Sequence, residues 1–442
     1  MAAAGESLTP AGDMSPLQQA EEAVAALYDF RDHYFERHSL EEAALKVEEL
    51  KKQLDNVMQL LDSINDQVDN KSVYLMLRGK ALNVMPQFDQ ASLDALSKAV
   101  KLDPKLVEAW NHLGEEYWKN KDVEAAKNCF LGALNHSKNK VSLRNLSMVL
   151  RQLGKDPAER IKLVEESVEK AKEAVQLDIK DGTSWFILGN AYLSMFFAEN
   201  QNPKVLKQCM SAYAQAEKDS VANCNSDLHY NRAIAYKYQE EYQLALVGFA
   251  RAAALDPLWP DPQEKEQQLV SYLTKVQDMV DTKGKTKGKK LQTMISEISE
   301  NHLGVYKGGS YTSQSGKTID LAYVMLQDLS QEINPGKVVL GKVVCTVTTE
   351  EPVPFTFCMV DSADTCCAVT LYNVAPGYGV KIGDSVSIPE PYVQPLDVQY
   401  GDMTFHFLSI RVDSPVVLVV NGRKLGLDKQ APSVLGVSAK SE

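Results

Sequence analysis

The sequence lacks the features by which enzymes, metalloproteins and membrane proteins are usually recognised. No uninterrupted apolar run is long enough to cross a bilayer, and the first residues, MAAAGESLTPAGDMS, have neither the basic nor the apolar region of a secretory signal. The seven cysteines form no CxxC pair and the seven histidines show no ligand spacing, so we expect no metal and no cofactor. Gly-Lys-Thr at 316–318 lacks the rest of a phosphate-binding loop, and no nucleophile–base pair stands out. The sequence therefore predicts neither an enzyme nor a membrane partner.

The charge balance also excludes one class of function. The net charge is −12, which argues against nucleic-acid binding by bulk charge but leaves room for a local basic patch. An odd number of scattered cysteines is typical of a reducing compartment, so the cytosol or the nucleus fits best.

What the sequence does have is a repeat of about 34 residues, the tetratricopeptide (TPR) pattern. One window reads EAWNHLGEEYWKNKDVEAAKNCFLGAL and the other reads DLHYNRAIAYKYQEEYQLALVGFARAAALDP. In units that begin at Val107 and Ser226, small and large residues fall at the repeat positions: Trp110, Leu113, Gly114, Tyr117, Ala126, Phe130 and Ala133, then Ala233, Tyr236, Ala245, Phe249, Ala252 and Pro257. A solenoid of such repeats has no intrinsic chemistry, so its function depends on what its concave surface binds.

The repeats extend in both directions. Two middle units begin at Lys140 and Gly182, and in each the second helix lies eight residues beyond the position that a regular repeat assigns it. We therefore predict a degenerate first helix pair over 1–70, a solenoid with two eight-residue insertions over 71–260, and a capping helix over 261–280.

The C-terminal part has a different composition. Residues 281–335 are rich in Lys and then in Gly and Ser and predict a linker, while 336–425 alternate in the manner of about five β-strands. The segment GDSVSIPEP is similar to the fourth strand of an OB-fold barrel. The fold class is thus an α + β multidomain protein, with a TPR solenoid followed by a five-stranded OB-fold barrel and a flexible tail over 426–442. The strands are largely neutral, so protein docking is favoured, with nucleic-acid or chromatin binding as the alternative.

The first helices of TPR units line the groove, and their inward positions carry amides and charges of both signs. An Arg grips a carboxylate, an Asp grips an Arg, and an Asn hydrogen bonds a peptide backbone. This pattern predicts a site for a short peptide of mixed charge. The alternative is that these residues are solvated or form salt bridges within the solenoid. The candidates are Arg151, Asp227, Asn111, Arg144, Asn145, Asn190, Asn231 and Glu108.

A separate basic strip consists of Lys283, Lys285, Lys287, Lys289 and Lys290. It is interpreted as a solvated linker, as a nuclear-import signal, or as a patch that contacts ribosomal or other RNA phosphates.

Several segments together resemble one family over nearly the whole chain. They include GKALNV, LSKAVKLDP, LVEAWNHLGEEYW, NKVSLRNLSMVLRQL, TTEEPVPFTF and GDSVSIPEP. They resemble the family of tetratricopeptide repeat protein 5. The resemblance implies a stress-responsive nuclear co-activator that scaffolds histone acetyltransferase complexes in the p53 and DNA-damage response. It also implies a cytoplasmic role, in which the groove binds the N-terminal Met-Arg-Glu peptide of nascent tubulin at the ribosome and triggers decay of tubulin mRNA. We accordingly expect the protein in both nucleus and cytoplasm.

Overall fold

The structure is a computed structural model in which the chain folds into two compact units. It describes residues 14–198, 201–308, 310–312, 318–348 and 353–431. The first unit contains the chain up to Ala235 together with Arg251–Pro260. The second contains Tyr236–Ala250 together with the chain from Asp261.

The helices follow one another with short connections. They are α1 (Pro16–Asp32), α2 (Tyr34–Arg37), α3 (Lys46–Ile64), α4 (Lys71–Asn83), α5 (Gln90–Leu102), α6 (Val107–Lys119), α7 (Val123–His136), α8 (Lys140–Leu150), α9 (Pro157–Leu177), α10 (Gly182–Ala198), α11 (Pro203–Ala216), α12 (Ser220–Asn223), α13 (Ser226–Tyr238), α14 (Tyr242–Leu255), α15 (Asp261–Asp281) and α16 (Gly288–Ser296). The helices α6, α8, α10 and α13 begin at the four residues where the repeat places the start of a unit. The predicted TPR solenoid is confirmed.

Polar caps explain why the helices begin where they do. The side chain of Asp122 accepts a hydrogen bond from the backbone N–H of Ala125 at the start of α7, and Asn139 accepts one from Ser142 at the start of α8. Each cap satisfies a backbone donor that the helix itself leaves unpaired.

Small residues set the distance between the two helices of a repeat. A Cβ built on Gly114 would lie 2.5 Å from Cε1 of Phe130, and one on Gly189 would lie 2.5 Å from Cε1 of Tyr213. Both aromatic side chains are fully buried. The paired helices therefore approach so closely that no side chain fits at these glycines.

The two middle repeats accommodate their extra residues differently. The helix α9 has 21 residues, whereas α7 has 14. The helix α10 has 17 residues, whereas α6 has 13. In the first of these repeats the second helix is lengthened. In the next, the first helix is longer, and the short α12 follows the second helix.

The region before residue 70 contains more than a simple helix pair. The helices α1 and α3 pack against each other through buried Leu27, Leu54 and Leu61. Between them lie the short α2 and a 3₁₀ segment at Leu40–Leu45. Residues 1–13 lie outside the described part of the chain.

The second unit contains a mostly antiparallel sheet. Its strands, with a separate β1–β2 hairpin, are β1 (Ser310–Thr312), β2 (Thr318–Asp320), β3 (Ala322–Tyr323), β4 (Glu332–Ile333), β5 (Lys337–Val347), β6 (Phe355–Val360), β7 (Cys366–Leu371), β8 (Ser385–Pro389), β9 (Tyr392–Tyr400), β10 (Met403–Val412), β11 (Val419–Val420) and β12 (Arg423–Lys424). The order is β12-β11-β8-β5-β6-β7-β10-β9-β4, and β10 pairs with β7 in parallel. The strands β5, β6 and β7 form a meander, β8 pairs with β5, and β10 closes the sheet by pairing in parallel with β7. This arrangement is the partly open Greek-key barrel of an OB-fold. That prediction is also confirmed, with more and shorter strands than the five expected.

Two segments differ from the expected domain plan. The segment expected to cap the solenoid forms α15, which falls in the second unit, because its apolar residues Leu269, Leu273 and Val276 are buried there. The segment 281–335, expected to be a linker, carries α16 and a 3₁₀ segment, Glu300–Tyr306. Apolar side chains of its described part, including Leu303 and Tyr306, pack against the barrel.

The C-terminal segment 426–442 was expected to be a flexible tail. Its beginning instead forms a 3₁₀ turn at Leu427–Lys429, and Gln430 pairs with Val374 through a β-bridge. The tail from residue 432 onward lies outside the described part of the chain.

The close helix approach gives a stability prediction. We expect Gly114→Ala to lower the thermal unfolding midpoint, because the new methyl group displaces the buried Phe130 ring at a cost of about 1–3 kcal/mol. The matched control is Gly288→Ala, since nothing lies within 4 Å of that position. Circular dichroism melts of both variants measure the effect, and equal midpoints would contradict the packing argument.

Candidate peptide-binding groove

Arg151 and Asp227 are the two oppositely charged candidates from the sequence. Arg151 caps the C-terminus of α8 and donates from Nη1 to Oγ of Ser147 at 3.2 Å. Asp227 lies in the first turn of α13, where the helix dipole favours a negative charge. Both side chains are partly exposed. Each can therefore reach a ligand while its backbone is fixed at a helix end.

Three other candidates, Arg144, Glu108 and Asn145, have partners inside the solenoid. These contacts join neighbouring repeats, as expected if the candidates form contacts within the solenoid rather than with a ligand. Arg144 Nη1 lies 3.1 Å from Asp181 Oδ2, Glu108 Oε1 lies 2.5 Å from Lys80 Nζ, and Asn145 Nδ2 donates to Glu115 Oε1 at 3.1 Å. Glu108 is still half exposed, whereas Arg144 is mostly covered.

The remaining candidate amides are buried. Ser142 Oγ donates to Asn111 Oδ1 at 2.6 Å. Tyr213 donates to Asn190 Oδ1 at 2.7 Å, and Asn231 Nδ2 donates to the same oxygen at 3.3 Å. All three amides are less than a tenth exposed. Their contacts hold first helices to adjoining helices, which fixes the shape of the inner wall.

The N-terminal helices supply side chains that the sequence analysis did not single out. The Tyr28 hydroxyl of α1 donates to the carbonyl of Lys80 at 2.9 Å, and its ring centroid lies 5.8 Å from that of His112. The guanidinium of Arg31 lies 4.4 Å from the Tyr28 ring centroid. A basic residue therefore stands next to the inner wall formed by α4 and α6. Repeat spacing gives no signal for it, because α1 does not follow the TPR pattern.

Lys46, the first residue of α3, is a further basic group of the first unit. Burial lowers the pKa of Lys46, and the nearby charge of Arg31 lowers it further. Asp32, Cys224 and Asp256 act in the opposite direction. Such Coulombic interactions fall off within about 10 Å for exposed charges. Charges of both signs therefore act on the Lys46 ammonium at the start of α3.

His112 is held between two carboxylates. Its Nδ1 lies 2.9 Å from Glu115 Oε2, and its Nε2 lies 3.9 Å from Glu108 Oε1. Burial alone would lower the pKa of His112, but the two carboxylates raise it above its ordinary value. For Glu115 burial acts in the other direction and would raise the pKa, but His112 and the amide of Asn83 lower it to about 2. The charged forms of His112 and Glu115 therefore stabilise each other at the wall.

The basic strip is built onto the barrel rather than suspended in a linker. Lys283 Nζ lies 2.7 Å from Asp364 Oδ1, and Lys285 Nζ lies 2.8 Å from Asp278 Oδ2. Between them Gly284 has φ 68°, and a Cβ there would lie 2.7 Å from the carbonyl oxygen of Val344. The other three lysines, Lys287, Lys289 and Lys290, are exposed. They form a basic surface at the start of α16.

The outer face of the middle barrel strands is covered by the second unit's own residues. The Tyr272 hydroxyl of α15 hydrogen bonds with Oγ1 of Thr356 on β6 at 3.0 Å. The Tyr372 hydroxyl, next to β7, donates to Glu240 Oε1 at 2.9 Å. OB-folds that bind oligonucleotides use this region of the barrel. Its coverage weighs against the nucleic-acid alternative.

In the part of the chain that the structure describes, no helix is both long enough and apolar enough to span a bilayer. Within the same residues, no group of three or more His, Cys, Asp or Glu side chains is arranged to hold a metal ion.

Comparison with known proteins agrees with this architecture. Residues 320–434 match the family described as the tetratricopeptide repeat protein 5 OB fold domain. Tetratricopeptide repeat protein 5 of Homo sapiens is 50% identical over 428 residues, covering 96% of this chain and 97% of that protein. The Bos taurus protein of the same name has the same identity and coverage.

Solved TPR structures are more distant. The Cut9–Hcn1 hetero-tetramer of APC/C has 14% identity and a TM-score of 0.42, covering 57% of this chain and 48% of that one. The thermophilic TPR protein TTC0263 from Thermus thermophilus has 16% identity and a TM-score of 0.35, covering 41% of this chain and 89% of that one.

The fold and its inner wall define a TPR adaptor with an OB-fold domain. Half of the residues are identical to those of its relatives over nearly the full length of both chains. The chain belongs to the tetratricopeptide repeat protein 5 family.

The His112 cluster predicts a dependence on pH. Because the folded pKa of His112 is raised above 6.5, its contribution to stability is complete below pH 6.5 and is lost as pH rises through the folded pKa. We therefore expect the difference in melting midpoint between the wild type and His112→Gln to shrink as pH rises above 6.5. The control is His136→Gln, which changes an exposed residue. A difference that stays constant with pH would contradict the assignment.

Proposed function

We propose that the protein is a non-enzymatic adaptor whose solenoid groove binds the N-terminal Met-Arg-Glu peptide of nascent tubulin at the ribosome and so promotes decay of tubulin mRNA. The observation that carries the proposal is the pair Arg151 and Asp227, two partly exposed side chains of opposite charge at helix ends. A peptide with adjacent basic and acidic residues is their chemical complement.

The recognition follows from charge-assisted hydrogen bonds. Asp227 would accept from the peptide arginine, and Arg151 would donate to the peptide glutamate, each contact contributing about 1.5–3 kcal/mol. The buried amides of Asn111 and Asn190 hold the helices that carry the groove. Because these side chains are already ordered, peptide binding does not cost the conformational entropy of ordering them.

The peptide proposal is tested with the full-length protein and a fluorescent peptide that begins Met-Arg-Glu. Arg151→Ala and Asp227→Ala should each weaken the affinity in fluorescence anisotropy about tenfold or more, while circular dichroism shows that the solenoid remains folded. Arg423→Ala and Asp402→Ala, which change exposed residues of the second unit, are the matched controls.

Swapping charges makes the test specific. A peptide with Lys in place of its Glu should lose affinity for the wild type and regain part of it with Arg151→Glu. Unchanged affinity in both alanine variants would refute the proposal.

We propose further that the exposed lysines of the basic strip contact ribosomal RNA. Lys287→Gln, Lys289→Gln and Lys290→Gln combined should weaken ribosome binding and reduce the slope of log affinity against log salt by about 2 to 3. The control combines Lys98→Gln, Lys101→Gln and Lys105→Gln, three exposed lysines of the first unit with the same change in charge. Co-sedimentation with ribosomes at several salt concentrations measures both. Equal slopes for the two variants would rule out the contact.

The same adaptor is proposed to act in the nucleus as a scaffold for a histone acetyltransferase co-activator and its cofactors in the p53 and DNA-damage response. Support for this role comes from the family resemblance and from the exposed lysines, whose spacing suits nuclear import. DNA or chromatin contact through the barrel has less support, because Tyr272 and Glu240 cover its middle strands.

A further inference from the structure

A second groove lies within the second unit, away from the residues considered so far. Its volume is about 420 Å³, and its walls come from α15, the end of α13, the start of α14 and the residues before β6. Most of its lining side chains are polar or charged, and Leu269 and Pro354 supply apolar surface. Neither the family match nor the proposed peptide groove assigns it a role.

The groove is elongated along α15. Glu264, Gln267, Ser271 and Lys275 line it at intervals of three or four residues, which places them on one face of the helix. At 1.5 Å per residue this face is about 16 Å long. An extended chain of about five residues has the same length. The shape therefore fits a peptide segment better than a compact small molecule.

One polar atom in this groove lacks a well-formed hydrogen bond. Tyr242 is 4% exposed, and its hydroxyl makes no hydrogen bond of good geometry within the residues that the structure describes. The hydroxyl of the neighbouring Tyr272 lies close enough to interact with it but makes its well-formed hydrogen bond with Thr356. Burial raises the pKa of Tyr242 well above its ordinary range, so the hydroxyl keeps its proton. A buried donor without an acceptor is unfavourable, and a ligand that supplies an acceptor would remove the cost.

The charges around the groove indicate which acceptor it takes. Among the residues that the structure describes, Lys237 and Lys275 line it together with the carboxylate of Glu264. Gln267 can donate to and accept from a peptide backbone. We propose that this groove binds an extended acidic peptide segment of a partner protein, with a carboxylate of the segment accepting from the Tyr242 hydroxyl. An apolar residue next to it packs on Leu269 and Pro354. The adaptor then has two peptide sites of different charge preference.

The test uses the full-length protein and a fluorescent, end-capped hexapeptide, Glu-Leu-Glu-Glu-Leu-Glu. We expect saturable binding to the wild type. Tyr242→Phe should weaken it about tenfold and at the same time raise the melting midpoint, because the unpaired hydroxyl is removed. Lys275→Gln should weaken it severalfold, with a smaller loss at high salt. Tyr392→Phe and Lys381→Gln, both at exposed positions, should leave the affinity unchanged.

Two comparisons separate this groove from the solenoid. Arg151→Ala should not alter binding of the acidic hexapeptide, and a Met-Arg-Glu peptide should not compete with it. No saturable binding at millimolar hexapeptide overturns the proposal, as does equal affinity for the basic counterpart Lys-Leu-Lys-Lys-Leu-Lys. Unchanged affinity in Tyr242→Phe overturns it as well.

Discussion

The close approach of paired helices is the constraint on which the first unit depends. Where Gly114 faces Phe130 and Gly189 faces Tyr213, the backbone of one helix lies directly against an aromatic ring of the other. That spacing buries both rings completely and leaves the opposite sides of the first helices to form a continuous inner wall. Interiors are packed densely enough that a single methyl group at such a position is felt across the repeat. The shape of the groove therefore depends on the close packing of the two helices within each repeat.

The same packing decides which inner-wall residues are available to a ligand. Neighbouring first helices are near enough for Asn145 to reach Glu115 and for Arg144 to reach Asp181. These contacts satisfy groups that would otherwise be poorly solvated, and they make the wall rigid. Arg151 differs because it lies where α8 ends. Its position at a helix end, with part of the side chain exposed, is better suited to a ligand than a mid-helix position.

Repeat register made the starts of α6, α8, α10 and α13 predictable, because small and large residues recur at fixed positions only when helices pair in this way. The role of α15 was not predictable. Its sequence shows an amphipathic helix, but amphipathicity does not say which surface the apolar face covers. Arg31 was missed for a related reason, since its place at the wall depends on contacts between α1 and repeats far along the chain. The partners of Asn190 likewise depend on distant residues.

In the second unit, the barrel strands that OB-folds commonly use to bind ligands are covered by the unit's own residues. Glu240 is buried against Arg411 and Tyr372, and its desolvation raises its pKa even though Arg411 acts to lower it. The guanidinium of Arg411 also lies 4.1 Å from the Tyr372 ring centroid. A buried carboxylate is tolerated only where such partners surround it. The strands that OB-folds use for ligands are therefore engaged with Glu240 and α15. In the described part of this unit, one face of α15 lines a groove and the lysines at the start of α16 are exposed, so both remain accessible beside the covered strands.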